Sequence, residues 1–128
     1  MSIGTIIVVV PRPPRILHPN GRTRSHMARA RKAKSYRRTC GFMAIKALEH
    51  VVPPMWDRAK YSAVFFVRDQ RGMKQDEDNA GASLKHCMDA MADAGIVKND
   101  RGFVRDSLKF EINPARAGTV EISIWEAK

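Results

Sequence analysis

The order in which hydrophobic patterns follow one another limits what this chain can fold into. Residues 5–10 form a β-branched apolar run that Pro11 ends, and this pattern predicts a buried strand. Residues 62–68 are the next apolar run, rich in Val and Phe, and predict a central strand. The last segment alternates apolar and polar residues and predicts a final strand, with one face formed by Val120, Ile122 and Ile124.

Two segments between these strands have the three- and four-residue spacing of apolar positions that is typical of helices. In the first, which Pro53 and Pro54 end, the predicted buried stripe consists of Ala33, Tyr36, Cys40, Met43, Ala47 and Val51. The second begins at Asp78 or Asn79, has Gly95 as its C-terminal stop, and carries on its apolar side Leu84, Cys87, Met88 and Met91.

A third strand is expected over residues 104–112, where one face consists of Val104, Asp106, Leu108, Phe110 and Ile112. The elements therefore follow the order βαβαββ. This order predicts an α+β fold in which two helices pack on one mixed, four-stranded sheet. The 128 residues, of which 44% are hydrophobic, suffice for a single domain with its own core, and they exclude a large multidomain enzyme.

Membrane and redox features are sparse in the sequence. No apolar run approaches the roughly 20 residues that a membrane-spanning helix needs. The run at residues 6–10 also lacks the flanks of a signal peptide, so we expect a soluble protein that acts in the cytoplasm. Cys40 and Cys87 have no paired Cys or His spacing, which favours two buried thiols over a zinc site or a disulfide.

Positive charge is concentrated in the first half of the chain. The net charge is +10, and residues 1–60 contain 13 Lys and Arg against 2 Asp and Glu. Such a surplus favours a polyanion partner, and the segment 20–51 lacks the bulky apolar face with which helices bind membranes. A solvated helix face is the alternative. The predicted DNA-binding residues are Arg22, Arg24, Arg29, Arg31, Lys32, Lys34, Arg37 and Arg38.

An acidic cluster within the segment 74–100 is the candidate for chemistry. In an extended chain Asp76 and Asp78 point to the same side, and two carboxylates together suit Mg²⁺, which prefers oxygen ligands. Asp100 follows the second helix and is a third candidate ligand, while Lys85 could reach a phosphate from that helix. The alternatives are a helix cap at Asp78 with a surface charge at Asp76, an ordinary turn at Asp100, and a solvated Lys85.

These residues, in this order, resemble the RusA family of Holliday junction resolvases. Asp76-Glu77-Asp78-Asn79 is similar to the family's Asp-x-Asp-Asn signature, and residues 85–91 are similar to its Lys-x-x-x-Asp-Ala-Leu helix. The resemblance continues through Ala94-Gly95-Ile96, Asn99-Asp100, the proline-rich residues 10–14, residues 19–22 with His26, and the closing strand at residues 118–122.

The resemblance implies that Asp76, Asp78 and Asp100 hold Mg²⁺ or Mn²⁺ and that Lys85 assists at the scissile phosphate. It also implies a homodimer that nicks four-way DNA junctions symmetrically. In this chain residues 80–84 separate the signature from Lys85 by about one extra helical turn, so Lys85 keeps its place only if these residues form a loop before the helix. A non-catalytic DNA- or RNA-binding protein, and a nuclease for other branched DNA, are the alternative functions.

Overall fold

A computed structural model describes residues 4–18, 25–49 and 51–128. Its strands are β1 (Thr5–Pro11), β2 (Ala59–Val67), β3 (Phe103–Ile112) and β4 (Thr119–Glu126). Its α-helices are α1 (His26–Ala47), α2 (Glu77–Ser83) and α3 (Lys85–Asp93), joined by 3₁₀ turns at Arg15–Leu17, Gln70–Met73 and Asp100–Gly102. The predicted α+β class with one mixed, four-stranded sheet is confirmed.

The strands lie in the order β1-β4-β2-β3. Strand β4 is antiparallel to both of its neighbours, β1 and β2, whereas β2 and β3 are parallel. Strands β1, β2 and β3 therefore all run in the same direction. The C-terminal ends of these three strands lie at the same end of the sheet. The loops that follow β1 and β2 are therefore at the same end of the molecule.

The helices cover one face of the sheet, which we call the covered face. Strand β4 places Val120, Ile122 and Ile124 there, and β2 lies between two strands, so both of these predictions are confirmed. The predicted strand β1 is present, but the prediction that it is buried holds for only one of its faces. It is an edge strand whose side chains alternate, so that Val8 is buried while Ile7, on the open face, is 55% exposed.

The predicted buried stripe of α1 is confirmed except at its C-terminal end, and Ala33 and Met43 are partly buried against the core. Tyr36 and Cys40 are buried, as expected, but Ala47 is exposed and Val51 lies beyond the helix. Ala44 and Leu48 are buried in their place. The buried ridge thus continues in steps of four from Cys40, and the helix ends at Ala47, before the two prolines that were expected to stop it.

The second predicted helix is divided into α2 and α3 at Leu84. The buried Ser83 hydroxyl donates to the carbonyl oxygen of Ala80, and the Leu84 amide bonds back only three residues, to Gly81. This tightening ends the first helix. The predicted stop at Gly95 is confirmed, because it adopts φ +90° and the next amide, of Ile96, bonds to the carbonyl of Met91.

A β-bulge changes which residues of β3 face the core. Tyr61 pairs with Arg105 and Ser62 with Ser107, which leaves Asp106 as an extra residue. The expected single face is therefore wrong at its start. Leu108 and Phe110 are buried, whereas Val104 is exposed, and the residues on the covered face before the bulge are Phe103 and Arg105. Ile112, the last residue of this edge strand, is also exposed.

Candidate functional site

The acidic cluster lies where the loop after β2 enters α2. Asp76 is the N-cap of this helix, and its Oδ1 accepts hydrogen bonds from the backbone amides of Asp78 (2.8 Å) and Asn79 (3.3 Å). A carboxylate therefore does cap the helix, but it is Asp76 rather than Asp78. The expected extended geometry of residues 76–78 is wrong, because Glu77 and Asp78 already belong to the first turn.

The side chain of Asp78 is 96% exposed and points into solvent near β3. Its Oδ1 lies 4.0 Å from Nη2 of Arg105. The Arg105 guanidinium occupies the space above Gly81, where an added Cβ would overlap it. The bulge puts Arg105 on the same face as Leu108 although the two are three residues apart, so sequence periodicity alone gave no sign of this contact.

Lys85 and Asp100 line a cavity of about 360 Å³. Its other lining residues are Tyr61, Gly81, Ala82, Met88, Asp89 and Phe103. Lys85 is the first residue of α3. Residues 80–84 form neither of the two expected structures, a loop or a continuous extension of α3, because residues 80–83 belong to the separate helix α2. Asp100 opens a 3₁₀ turn that Asn99 caps by accepting a bond from the Arg101 amide at 2.9 Å. Both side chains are exposed at the mouth of the cavity.

The three candidate metal ligands are not gathered into one cluster. Within the described residues, no three Asp, Glu, His or Cys side chains are grouped so that they could hold a metal ion. Their chemistry nevertheless fits Mg²⁺, since Asp76, Asp78 and Asp100 are exposed carboxylates and this ion keeps several of its waters when it binds protein oxygens. The assignment of Asp76, Asp78 and Asp100 as ligands stays a prediction.

Beside Asp76 lies a concave, strongly positive site that we call the basic cavity. It has a volume of about 650 Å³ and is lined by Arg12, Pro13, Arg15, His18, Arg71, Lys74, Gln75, Asp76 and Asn79. The loop after β1 and the turn after β2 form its walls. They are held together by the Arg12 guanidinium, which donates to Oε1 of Gln75 and lies 5.6 Å from the centroid of the Phe65 ring.

Burial and neighbouring cations lower the pKa values of two residues in the basic cavity. Burial, and secondarily the charge of Arg15, lowers the pKa of Arg12. Burial also lowers the pKa of His18, and the neighbouring Arg12 and Arg15 lower it further. Within the described chain none of the cavity's Arg and Lys side chains forms an ion pair, although Asp76 lies in its wall. The cavity therefore has unbalanced positive charge.

Sequence reasoning missed the cations of the basic cavity. Arg12 and Arg15 stand among prolines, and the turn containing Arg71 and Lys74 looked like an ordinary polar connection. The available signal was that both segments directly follow predicted strands. If those strands run in the same direction, the two segments lie at the same end of the sheet, but the order of the strands cannot be read from the sequence.

The predicted DNA-binding residues of α1 fall into two groups. Arg29 donates to the backbone carbonyls of Ile16, Leu17 and His18, and Arg37 forms a two-pronged pair with Asp93 at 2.8 and 2.9 Å. These two cations hold the fold together. The exposed cations without ion pairs to described residues are Arg31, Lys32, Lys34 and Arg38, while Arg22 and Arg24 lie outside the described residues.

Comparison with known proteins adds no assignment. No protein-family model matches the chain, and no curated protein has significant similarity to it. In the described residues, no helix has both the length and the apolar character that crossing a membrane requires.

Proposed function

We propose that this protein is a metal-dependent endodeoxyribonuclease that nicks four-way DNA junctions, as the resemblance to the RusA family implies. The observation that carries the proposal is the position of Asp76 and Asn79 in the wall of the basic cavity. Asp76 also caps α2, but in a protein that only binds nucleic acid its carboxylate would repel phosphate from the neighbouring cations. A metal-dependent phosphodiesterase uses both the carboxylate and the cations.

Each part of the site has a chemical task in this proposal. The resemblance implies Asp76, Asp78 and Asp100 as ligands of Mg²⁺ or Mn²⁺, and the bound ion would supply an activated water and neutralise charge on the phosphate. The positive charge around Asp76 favours a phosphate group of the substrate at this place. Lys85 assists at the scissile phosphate from the start of α3. The proposed enzyme acts as a homodimer in the cytoplasm, and sedimentation of the pure protein tests the dimer.

The test is cleavage of an end-labelled synthetic four-way junction. Linear duplex, a replication-fork structure and single-stranded DNA of the same sequence are compared with it, each in Mg²⁺ and in EDTA. We expect paired nicks in the junction, in Mg²⁺ only. Preferential cutting of the fork would instead support a nuclease for other branched DNA.

Asparagine variants separate catalysis from folding. Asp78→Asn and Asp100→Asn remove one charge each at exposed positions, and both should abolish cleavage while junction binding persists. Asp106→Asn is the matched control, because Asp106 is an exposed aspartate without a hydrogen bond or ion pair to described residues. Equal activity in all three variants would contradict the proposal.

A non-catalytic DNA- or RNA-binding protein is the second candidate. It is favoured by the use of Asp76 as a helix cap and by the absence of a three-ligand group among the described residues. In that case neither Mg²⁺ nor Mn²⁺ would cause cleavage, and titration with Mg²⁺ would leave the melting temperature of the protein unchanged.

A further inference from the structure

We infer that the basic cavity holds the sugar-phosphate backbone of a single DNA strand and leads it to the acidic cluster. The inference rests on the proposed function, and it assigns Arg12, Arg15, Arg71 and Lys74 to the substrate. None of these residues belongs to the basic segment 20–51.

The charge of the basic cavity favours a polyanion. Four Arg and Lys side chains and His18 share one cavity with a single carboxylate, that of Asp76. Cations at such separations repel one another, and the repulsion is strongest where water is partly excluded, as around the half-buried Arg12. An anion with several negative groups removes this repulsion. A phosphodiester backbone provides one negative charge for each nucleotide.

The shape of the basic cavity favours a single strand over a duplex. Cavities that enclose small ligands have volumes of about 300–1,000 Å³, and this one, at about 650 Å³, is within that range. A concave site of this size accommodates one or two nucleotides, whereas the side of a double helix needs a broad, open surface. The cavity therefore suits a strand that has left its duplex, as at the branch point of a junction.

The basic cavity lies next to the cations of α1. Arg29 fastens α1 to the turn Arg15–Leu17 through three backbone carbonyls. On the α1 side of this turn lies another cavity, of about 480 Å³, which is lined by Ile16, Ala28, Arg31, Lys32 and Ser35. Arg15 lines the basic cavity on one side of the turn, and Arg31 with Lys32 line the other cavity, so the two sets of cations are neighbours along the surface.

The direct test compares two double variants that remove the same charge. Arg15→Gln with Arg71→Gln changes the basic cavity. Arg58→Gln with Lys60→Gln changes two exposed cations at the start of β2, the end of that strand away from the cavity. Binding of a labelled junction is measured in EDTA by fluorescence anisotropy at several salt concentrations. Only the cavity variant should reduce the log–log salt slope, by about 1.4–1.8 for two lost phosphate contacts.

A phosphate-by-phosphate scan locates the contact. Single methylphosphonates, which are uncharged, replace successive phosphates on the strand that is cut. The wild-type protein should bind weakly when one or two neighbouring positions beside the nick are neutralised, and the cavity variant should be insensitive at those positions. The same scan profile for both proteins would overturn the inference.

The outcomes separate this inference from the proposed function. If the wild-type protein nicks junctions and the cavity variant binds like the control variant, the inference is wrong and the nuclease proposal stands. If the cavity variant loses binding but no metal supports cleavage, the inference holds and the nuclease proposal fails. If inorganic phosphate or a mononucleotide raises the melting temperature as much as an oligonucleotide at equal phosphate concentration, the cavity is a small-molecule site and the inference is overturned.

Discussion

The structure divides the α1 cations into fold-stabilising and free groups, and this division can be measured in DNA binding. Lys34 and Arg38 are one helical turn apart, both are exposed, and neither has an ion pair to a described residue. Arg37, between them in sequence, is bound to Asp93. We predict that the double variant Lys34→Gln with Arg38→Gln weakens junction binding, whereas Arg37→Gln leaves its salt dependence unchanged.

The magnitude follows from counterion release. Each phosphate contact on duplex DNA contributes about 0.9 to the log–log salt slope, so loss of two contacts should reduce the slope by about 1.8. Between 50 and 200 mM salt, a slope difference of about 1.8 means that the affinity of the wild-type protein falls by a factor roughly 12 times larger than that of the double variant. Arg37→Gln should instead lower stability by about 0.5 kcal/mol, because its pair with Asp93 is half exposed and weakened by solvent.

The assay is anisotropy of a labelled four-way junction in EDTA, with urea unfolding of each variant as the control for stability. Of the six described residues among the predicted DNA-binding cations, four have no ion pair to a described residue, so these four account for a slope of at most about 3.6, and the double variant should halve that share. An equal loss of slope in Arg37→Gln and in the double variant would refute the division, as would an unchanged slope in the double variant.

Three other properties are open to test. Asp76→Asn should keep the helix cap and abolish cleavage, whereas Asp76→Ala should in addition lower stability by about 1 kcal/mol in urea unfolding; equal stability of the two would contradict the capping role. Burial lowers the pKa of both His18 and His86 in the folded state, so the unfolded state binds more protons below about pH 6.5. The melting temperature should therefore fall from pH 7 to pH 5, and it should fall less in the double variant His18→Asn with His86→Asn. Gly95→Ala should destabilise by about 1–2 kcal/mol, because residue 95 has φ +90° and a Cβ there would lie 2.8 Å from Cβ of Pro53; unchanged urea unfolding would show that the chain relaxes at this position.

The sequence predicts those parts of the fold that depend on local periodicity. The alternating pattern of β4 and the apolar run of β2 identify both strands, because the period of burial is the period of the backbone. The prediction fails where neighbours decide. Ile7 is exposed because the helices cover only the other face of the sheet, and Val104 is exposed because a bulge shifts the faces of β3.

The candidate site is less predictable because it depends on long-range contacts. The spacing of the carboxylates identified Asp76 as a functional candidate. The structure agrees with the alternative that a carboxylate caps this helix, although the capping residue is Asp76 instead of Asp78. Spacing could not reveal that Arg12 contacts Gln75, 63 residues away, since that contact requires the strand order of the sheet. Nor could it show that Arg29 and Arg37, within the most basic segment, are already bound to other groups in the protein.

The extra residue at Asp106 also determines where β3 can tolerate a change in length. Without it, Arg105 would still stand opposite Tyr61 and Ser107 opposite Ser62, and the two strands would form an uninterrupted ladder. Loss of one residue elsewhere within the paired part of β3 would instead exchange inward and outward side chains over part of the strand. This edge strand can therefore shorten by one position at Asp106 and keep Leu108 and Phe110 in the core.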